Sequence, residues 1–143
     1  MVAGGVTGCR LLLLSVWPQF KKATDLSNKQ ALIPLQSVLD VVLVATLPAF
    51  SEEYLFRGAL LPAIYPDWRG AVISGCVFGS LHITGNRNIA FAAWASLVGF
   101  VYGMSFLTTG NLAVPMIAHS VSNIASAALW LEQNKSSSHR HDG

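Results

Sequence analysis

The sequence predicts an all-α fold: a polytopic bundle of membrane helices with a buried polar site. The 143 residues are 52% hydrophobic and only 11% charged, whereas soluble domains contain roughly 25% charged residues. Two apolar stretches without formal charge, residues 89–107 and 112–131, are about long enough to cross a hydrocarbon core of ~30 Å. Alternating strands are not evident, and backbone in lipid must satisfy its own hydrogen bonds, so helices are expected.

The first 37 residues are predicted to be a membrane-associated segment followed by a polar connection. The segment "GCRLLLLSVWP" is apolar and is interrupted by Pro18, and "KKATDLSNKQ" is expected to be an exposed link. A cleaved signal peptide is the alternative, because Arg10 precedes the apolar block. The block is followed by "WPQFKK" rather than by a small-residue cleavage site, which favours a helix or an interfacial segment.

Residues 38–132 are predicted to form the membrane core. Its first apolar region, residues 38–64, is interrupted by a cluster of charged residues, and residues 70–82 suit a short helix buried among the others. Short links make neighbouring helices antiparallel and adjacent. The glycine pairs Gly75–Gly79 and Gly99–Gly103 have the GxxxG spacing that lets helix backbones approach closely. The polar residues 133–143 are expected to be a disordered tail.

Several functional classes are disfavoured by composition and motifs. The net charge of +2, with scattered basic residues, does not favour nucleic-acid binding. Cys9 and Cys76 have neither disulfide nor metal-ligand spacing. The sequence contains no G-x-S-x-G and no H-E-x-x-H motif. Four charged residues near segment ends are explained by interfacial solvation: Asp40, Asp67, Arg69 and Arg87.

The stretch "TLPAFSEEYLFRGALLPAI" contains two acids and an arginine among apolar residues. An unpaired buried ion costs several kcal/mol or more, so these groups are expected to be paired. Glu53 and Arg57 are four residues apart and share a helix face, an arrangement suited to an ion pair. Glu52 points ~100° away from Glu53. One acid is therefore neutralised by Arg57, while Glu52 remains available for chemistry.

Three further polar residues lie in separate apolar segments. His82 ends the short segment, and His119 and Asn123 are four residues apart on one face of the last. A carboxylate such as Glu52 and an imidazole can hold and deprotonate a water molecule, while an imidazole and an amide can donate to an oxyanion. Each residue alone could instead join helices by hydrogen bonds. Together, ionisable groups at membrane depth favour a functional site.

Three motifs in successive apolar segments give the chain a family resemblance. "EEYLFR" matches EExxxR, "FGSLH" matches FxxxH and "HSVSN" matches HxxxN, in that order. Over residues 40–131 the chain resembles the CPBP family of intramembrane proteases, which contains CAAX prenyl endopeptidases and bacteriocin-processing enzymes. The sequence around the motifs is most similar to the plant chloroplast branch. The resemblance implies a chloroplast membrane location, with the endoplasmic reticulum as the alternative.

The resemblance implies an intramembrane endopeptidase without a cofactor, acting on a peptide or protein substrate, with a prenylated protein as one of the alternatives. By position, Glu52 would be the general base and would activate water together with His82. His119 and Asn123 would form the oxyanion site. The supporting ion pair would be Glu53 and Arg57.

Two alternatives remain open at this point. One is a zinc-dependent intramembrane protease with Glu52, His82 and His119 as metal ligands and water in the fourth position. The other is a non-enzymatic membrane scaffold that retains the motif residues. Members of the family commonly have more transmembrane helices than 143 residues supply, and the missing portion would lie before Met1. A fragment, a short isoform and a truncated gene model are the alternatives that the sequence leaves open.

Overall fold

The computed structural model describes residues 1–84 and 87–138, and within these ranges the chain contains helices and no strands. The predicted all-α fold is therefore confirmed. The helices are α1 (Val2–Val16), α2 (Pro18–Leu32), α3 (Val38–Glu53), a π-helical segment (Tyr54–Leu60), α4 (Leu61–Ile64), α5 (Trp68–Ser80), a 3-10 turn (Leu81–Ile83), α6 (Ile89–Thr109) and α7 (Ala113–Ser138).

Two of the described helices have the length and apolar composition of membrane spans. They are α6, over 21 residues, and the Ala113–Asn134 part of α7, over 22 residues. The α3 helix adds an outward face of large exposed apolar side chains, which include Val38, Leu39, Leu43, Leu47 and Phe50. An apolar exterior of this kind suits a lipid surrounding better than water. The fold is an all-α membrane bundle.

Polar residues at segment ends cap the helices. Ser37 and Asp40 form a capping box at the start of α3, and Asp67 accepts a hydrogen bond from a backbone N–H at the start of α5. The side chain of Asn88 caps α6, which ends at Gly110 with a φ of 62°. Side-chain oxygens satisfy the first free N–H groups of a helix, and glycine adopts the left-handed conformation without strain. These contacts give Asp40 and Asp67 structural roles.

The helices α5 and α6 pack against each other through the predicted glycine positions. A Cβ atom added to Gly75 would lie 2.9 Å from the carbonyl oxygen of Ser96, and one added to Gly99 would lie 2.9 Å from Cα of Gly75. At Gly103 the added atom would lie 2.9 Å from Cβ of Ala71. Real Cβ atoms do not pack this closely, so the close approach of the two backbones requires glycine.

The stretch "KKATDLSNKQ", which was predicted to be an exposed connection, lies within helix α2 and is only partly exposed. Pro18 occupies the first turn, where its missing N–H is no loss. Phe20, Ala23 and Thr24 are buried, and the Phe20 ring packs against Trp94 of α6 with centroids 5.9 Å apart. A narrow stripe at helical spacing is thus buried, although the stretch as a whole is polar.

The tail was predicted to be disordered; residues 133–138 continue helix α7, and residues 139–143 lie outside the described residues. The end of this helix is tied to α2, because the indole N–H of Trp130 donates to Asp25 Oδ1 at 2.9 Å. The Asn134 side chain donates to the backbone oxygen of Trp130 at 2.8 Å. These bonds stabilise helical backbone that polar composition alone does not favour.

Candidate active site

The two adjacent acids at the end of α3 have different surroundings. Glu53 is fully buried, as is Arg57 one turn later, whereas the Glu52 side chain is 31% exposed. Arg57 Nη1 lies 3.1 Å from Glu53 Oε1, and Arg57 Nη2 donates to the backbone oxygen of Gly99 at 2.6 Å. Arg57 lies in the π-helical segment, a widened turn that is frequent at functional sites.

Aromatic rings surround the Arg57 guanidinium. Its central carbon lies 5.1 Å from the ring centroid of Phe78, 5.7 Å from that of Phe56 and 5.9 Å from that of Tyr102. Ring faces attract a cation at these distances. Among the described residues, Arg57 Nε and Glu53 Oε2 are buried without a hydrogen-bond partner. The ion pair is fully buried, so each ion depends strongly on the other.

His119 connects the buried ion pair to Glu52. Its Nδ1 lies 2.8 Å from Glu53 Oε1, and its Nε2 lies 3.9 Å from Glu52 Oε2. A carboxylate only accepts hydrogen bonds, so Nδ1 carries the hydrogen in this contact. The Nε2 atom faces Glu52 and carries a lone pair when the ring is neutral and a hydrogen when the ring is protonated. The Tyr102 ring covers His119, with centroids 5.1 Å apart.

His82 lies in the 3-10 turn after α5 and is held by Phe78. Its Nδ1 is 2.7 Å from the backbone oxygen of Phe78, and the two rings are 4.4 Å apart. A carbonyl oxygen can only accept, so Nδ1–H donates and Nε2 of the neutral ring has a free lone pair. Helix α5 ends at Ser80, and the turn that follows it brings the His82 imidazole to the wall of a cavity.

Asn123 lies one turn after His119 on α7. Its Nδ2 donates to the backbone oxygen of Ala45 at 3.1 Å and so joins α7 to α3. An amide nitrogen has two hydrogens, and this bond uses one of them. The second N–H and the side-chain oxygen remain available to a bound molecule.

The four residues with predicted catalytic roles line one cavity of about 310 Å³: Glu52, His82, His119 and Asn123. The supporting residues Glu53 and Arg57 lie behind its wall. Tyr102 also lines the cavity, and its hydroxyl donates to Ser122 Oγ at 3.2 Å. Tyr102 was not predicted as a site residue; its signal in the sequence is a polar aromatic side chain inside the uncharged α6 stretch.

The residues proposed as zinc ligands do not fit a zinc site as they lie. Across residues 1–84 and 87–138, no three His, Cys, Asp or Glu side chains are grouped to hold a metal ion. The Nδ1 contacts of His82 and His119 with protein oxygens are also usual for histidines that bind a metal through Nε2, so it is the separation of the side chains that disfavours zinc. Cys9 and Cys76 are exposed free thiols.

Residues 34–125, more than half of the chain, match the family described as type II CAAX prenyl endopeptidase Rce1-like. The chain belongs to this family. The matched range contains all six candidate site residues. It also agrees with the broader CPBP resemblance, whereas it does not test the narrower resemblance to plant chloroplast members.

One curated relative of this Rce1-like chain is the uncharacterized protein YpbD of Bacillus subtilis (strain 168), which is 31% identical over 86 residues. The match covers 60% of this chain and 43% of that protein, so the chain spans less than half of its relative's length. No solved structure gives a significant match.

Proposed function

We propose that this Rce1-like chain carries the catalytic centre of an intramembrane endopeptidase that hydrolyses a peptide bond with activated water. The observation that carries the proposal is the shared cavity, because Glu52, His82, His119 and Asn123 line one space within a helical membrane bundle. Family membership supports the reaction class.

In this proposal Glu52 and His82 hold the attacking water. Glu52 is partly exposed within the cavity and is not part of the buried ion pair, so its carboxylate is free to accept a proton. The Nε2 lone pair of His82 accepts the second hydrogen of the water and orients it. A base within hydrogen-bond distance of water supplies general base catalysis.

His119 and Asn123 form the proposed oxyanion site. Asn123 donates its second N–H, while its first remains on Ala45. His119 donates through Nε2 only as the imidazolium, because Nδ1–H is directed at Glu53. The Glu53 carboxylate stabilises that cation, as a buried carboxylate stabilises a catalytic imidazolium in other hydrolases.

The proton balance closes within these residues. Glu52 takes a proton from water as the oxygen bonds to the scissile carbonyl carbon, whose oxygen becomes negative and accepts hydrogen bonds from Asn123 and His119. The C–N bond then breaks, and Glu52 returns its proton to the leaving amine. Water and the peptide give one carboxylic acid and one amine, and no metal is part of the proposed reaction.

The proposed substrate is a peptide or a membrane protein. Prenylated proteins are one class of substrate within this proposal. The test compares membrane-protein fragments, by mass spectrometry of new termini, between cells that produce the unmutated chain and cells that produce Glu52→Gln. Fragments that require Glu52 support the proposal and name the substrate. Identical fragment sets at equal protein levels would support the non-enzymatic scaffold instead.

The proposed location is a chloroplast membrane, with the endoplasmic reticulum as the alternative. This proposal depends on the sequence resemblance to plant chloroplast members. Fluorescence of a C-terminal fusion of the natural gene product, compared with markers of both membranes, tests it.

A further inference from the structure

Arg10 is a cation without a partner in the middle of the apolar helix α1, "VAGGVTGCRLLLLSV". Its side chain is partly buried, and within residues 1–84 and 87–138 it has no hydrogen bond and no ion pair. Removing a charge from water without a partner costs free energy. An ionisable side chain in an apolar helix of a membrane protein is therefore expected to pair with another charged group or to contact a ligand.

Arg10 lies where two cavities meet. The cavity of the candidate active site is lined by Glu52 and His119 among others, and a second cavity of about 430 Å³ lies between α1, α2 and α7. Four residues line both cavities, and all are polar: Thr7, Arg10, Asn28 and Ser126. Within the described part of the chain, none of these four side chains has a hydrogen-bond partner.

The charges around this junction favour an anion. Lys21 adds a second cation to the second cavity. The acid in that cavity, Asp25, is engaged by Trp130 at 2.9 Å and by Lys29 at 3.1 Å. The junction therefore combines an unpaired guanidinium with two hydroxyls and an amide, all of which can donate hydrogen bonds.

We propose that Arg10, together with Thr7, Asn28 and Ser126, forms a subsite that binds a carboxylate group of the peptide substrate. The inference rests on the proposed function, from which it takes the ligand to be a peptide. The planar guanidinium suits two parallel hydrogen bonds to a carboxylate. Because the subsite and Glu52 line the same cavity, a carboxylate held there fixes which peptide bond reaches the activated water.

A peptide can supply this carboxylate from its C-terminus or from an Asp or Glu side chain, and three probes distinguish these sources. They are fluorescein-labelled apolar octapeptides of one sequence: one with a free C-terminal carboxylate, one with a C-terminal amide, and one amide in which a Gln is replaced by Glu. Binding is measured by fluorescence anisotropy to the full chain carrying Glu52→Gln in lipid nanodiscs, which prevents cleavage.

At least one carboxylate probe is expected to bind about tenfold or more tightly than the plain amide, the size typical of charge-assisted hydrogen bonds. Arg10→Gln should remove this preference, and Arg10→Lys should retain part of it. Lys22→Gln, which removes an exposed cation from α2, is the matched control and should leave it unchanged.

Equal affinity for the three probes would overturn the subsite, as would a preference that survives Arg10→Gln. Where Arg10→Gln does not fold, the Arg10→Lys variant decides, because an undiminished preference in that variant overturns the assignment to Arg10. Cleavage by the unmutated chain separates the two proposals. Selective binding without cleavage would contradict the proposed peptidase activity and support the subsite. Cleavage of all three probes with equal kcat/KM would contradict the subsite and support the peptidase activity.

Discussion

Glu53 accepts a hydrogen bond from the His119 imidazole, with Oε1 and Nδ1 2.8 Å apart, and the same oxygen lies 3.1 Å from Arg57 Nη1. The carboxylate therefore fixes the orientation of a cavity residue while it is itself held by a buried cation. Arg57 therefore affects the proposed chemistry indirectly, because it holds Glu53, which in turn orients His119. Stability and the proposed catalysis are therefore expected to depend on the same contact.

Replacing Arg57 with alanine should destabilise the protein strongly. The change leaves Glu53 buried without its cation, which typically costs about 3–5 kcal/mol in a dry site. The measurement is the denaturant midpoint of purified protein in one detergent. Arg69→Ala is the matched control, since Arg69 forms an exposed pair with Asp67 and should change stability little. An inactive Arg57→Ala variant as stable as the unmutated chain would instead place Arg57 directly in the reaction.

Replacing Gly99 with alanine should separate α5 from α6. The added Cβ would lie 2.9 Å from Cα of Gly75 and 3.0 Å from Arg57 Nη2. Either the α5 backbone or the Arg57 side chain must therefore move. Overpacking of this kind costs about 1–3 kcal/mol, which the thermal midpoint in detergent would report. In Gly8→Ala, where no atom lies within 4 Å of the added Cβ, alanine should not destabilise the helix. Equal stability of both variants would contradict the described packing.

Replacing Asn123 with alanine should slow the reaction about 10²–10³-fold, the range seen when one oxyanion donor is removed, with little change in KM. The variant also loses the hydrogen bond to Ala45, so stability must be measured alongside kcat. Asn111→Ala removes a comparable bond to the backbone N–H of Ala113, outside the cavity. It should lower stability and leave kcat unchanged. A raised KM with unchanged kcat in Asn123→Ala would indicate substrate binding instead.

Removal of divalent metal should leave the activity intact. Among the described residues, no three potential ligands are grouped to hold a metal ion, and these include Glu52, His82 and His119. The proposed reaction is complete without a metal. The measurement is cleavage after dialysis against a strong chelator, together with zinc analysis of purified protein. Stoichiometric zinc that is lost together with activity in His119→Ala would replace this mechanism with the metalloprotease.

Local spacing was enough to predict some features but not others. Glu53 and Arg57 are one turn apart, and the glycine pairs lie four residues apart, so each relationship follows from helical geometry. The contact of Glu53 with His119 joins residues 66 positions apart and depends on how α7 packs. Helix α2 was missed because its buried stripe, which includes Phe20 and Ala23, is narrow and the surrounding residues are polar.

The types of the site residues predicted the class of reaction but not the hydrogen-bonding role of each ring nitrogen. Two imidazoles, a carboxylate and an amide suggested hydrolysis, but sequence does not show which ring nitrogen is free. The backbone contact of His82 and the carboxylate contact of His119 determine this. The π-helical segment that carries Arg57 was likewise not expected, because its residues have no local signature different from an ordinary helix.

The central claim is that Glu52 activates water in the cavity, and Glu52→Gln tests it most directly. The substitution keeps the size of the side chain but removes its basicity, so the protein should fold and insert normally. Cleavage by the purified variant should fall at least ~10²-fold, the usual scale of general base catalysis. Glu132→Gln, at an exposed position on α7, should cleave at the unmutated rate. Full activity in Glu52→Gln, with Glu53 intact, would contradict the account.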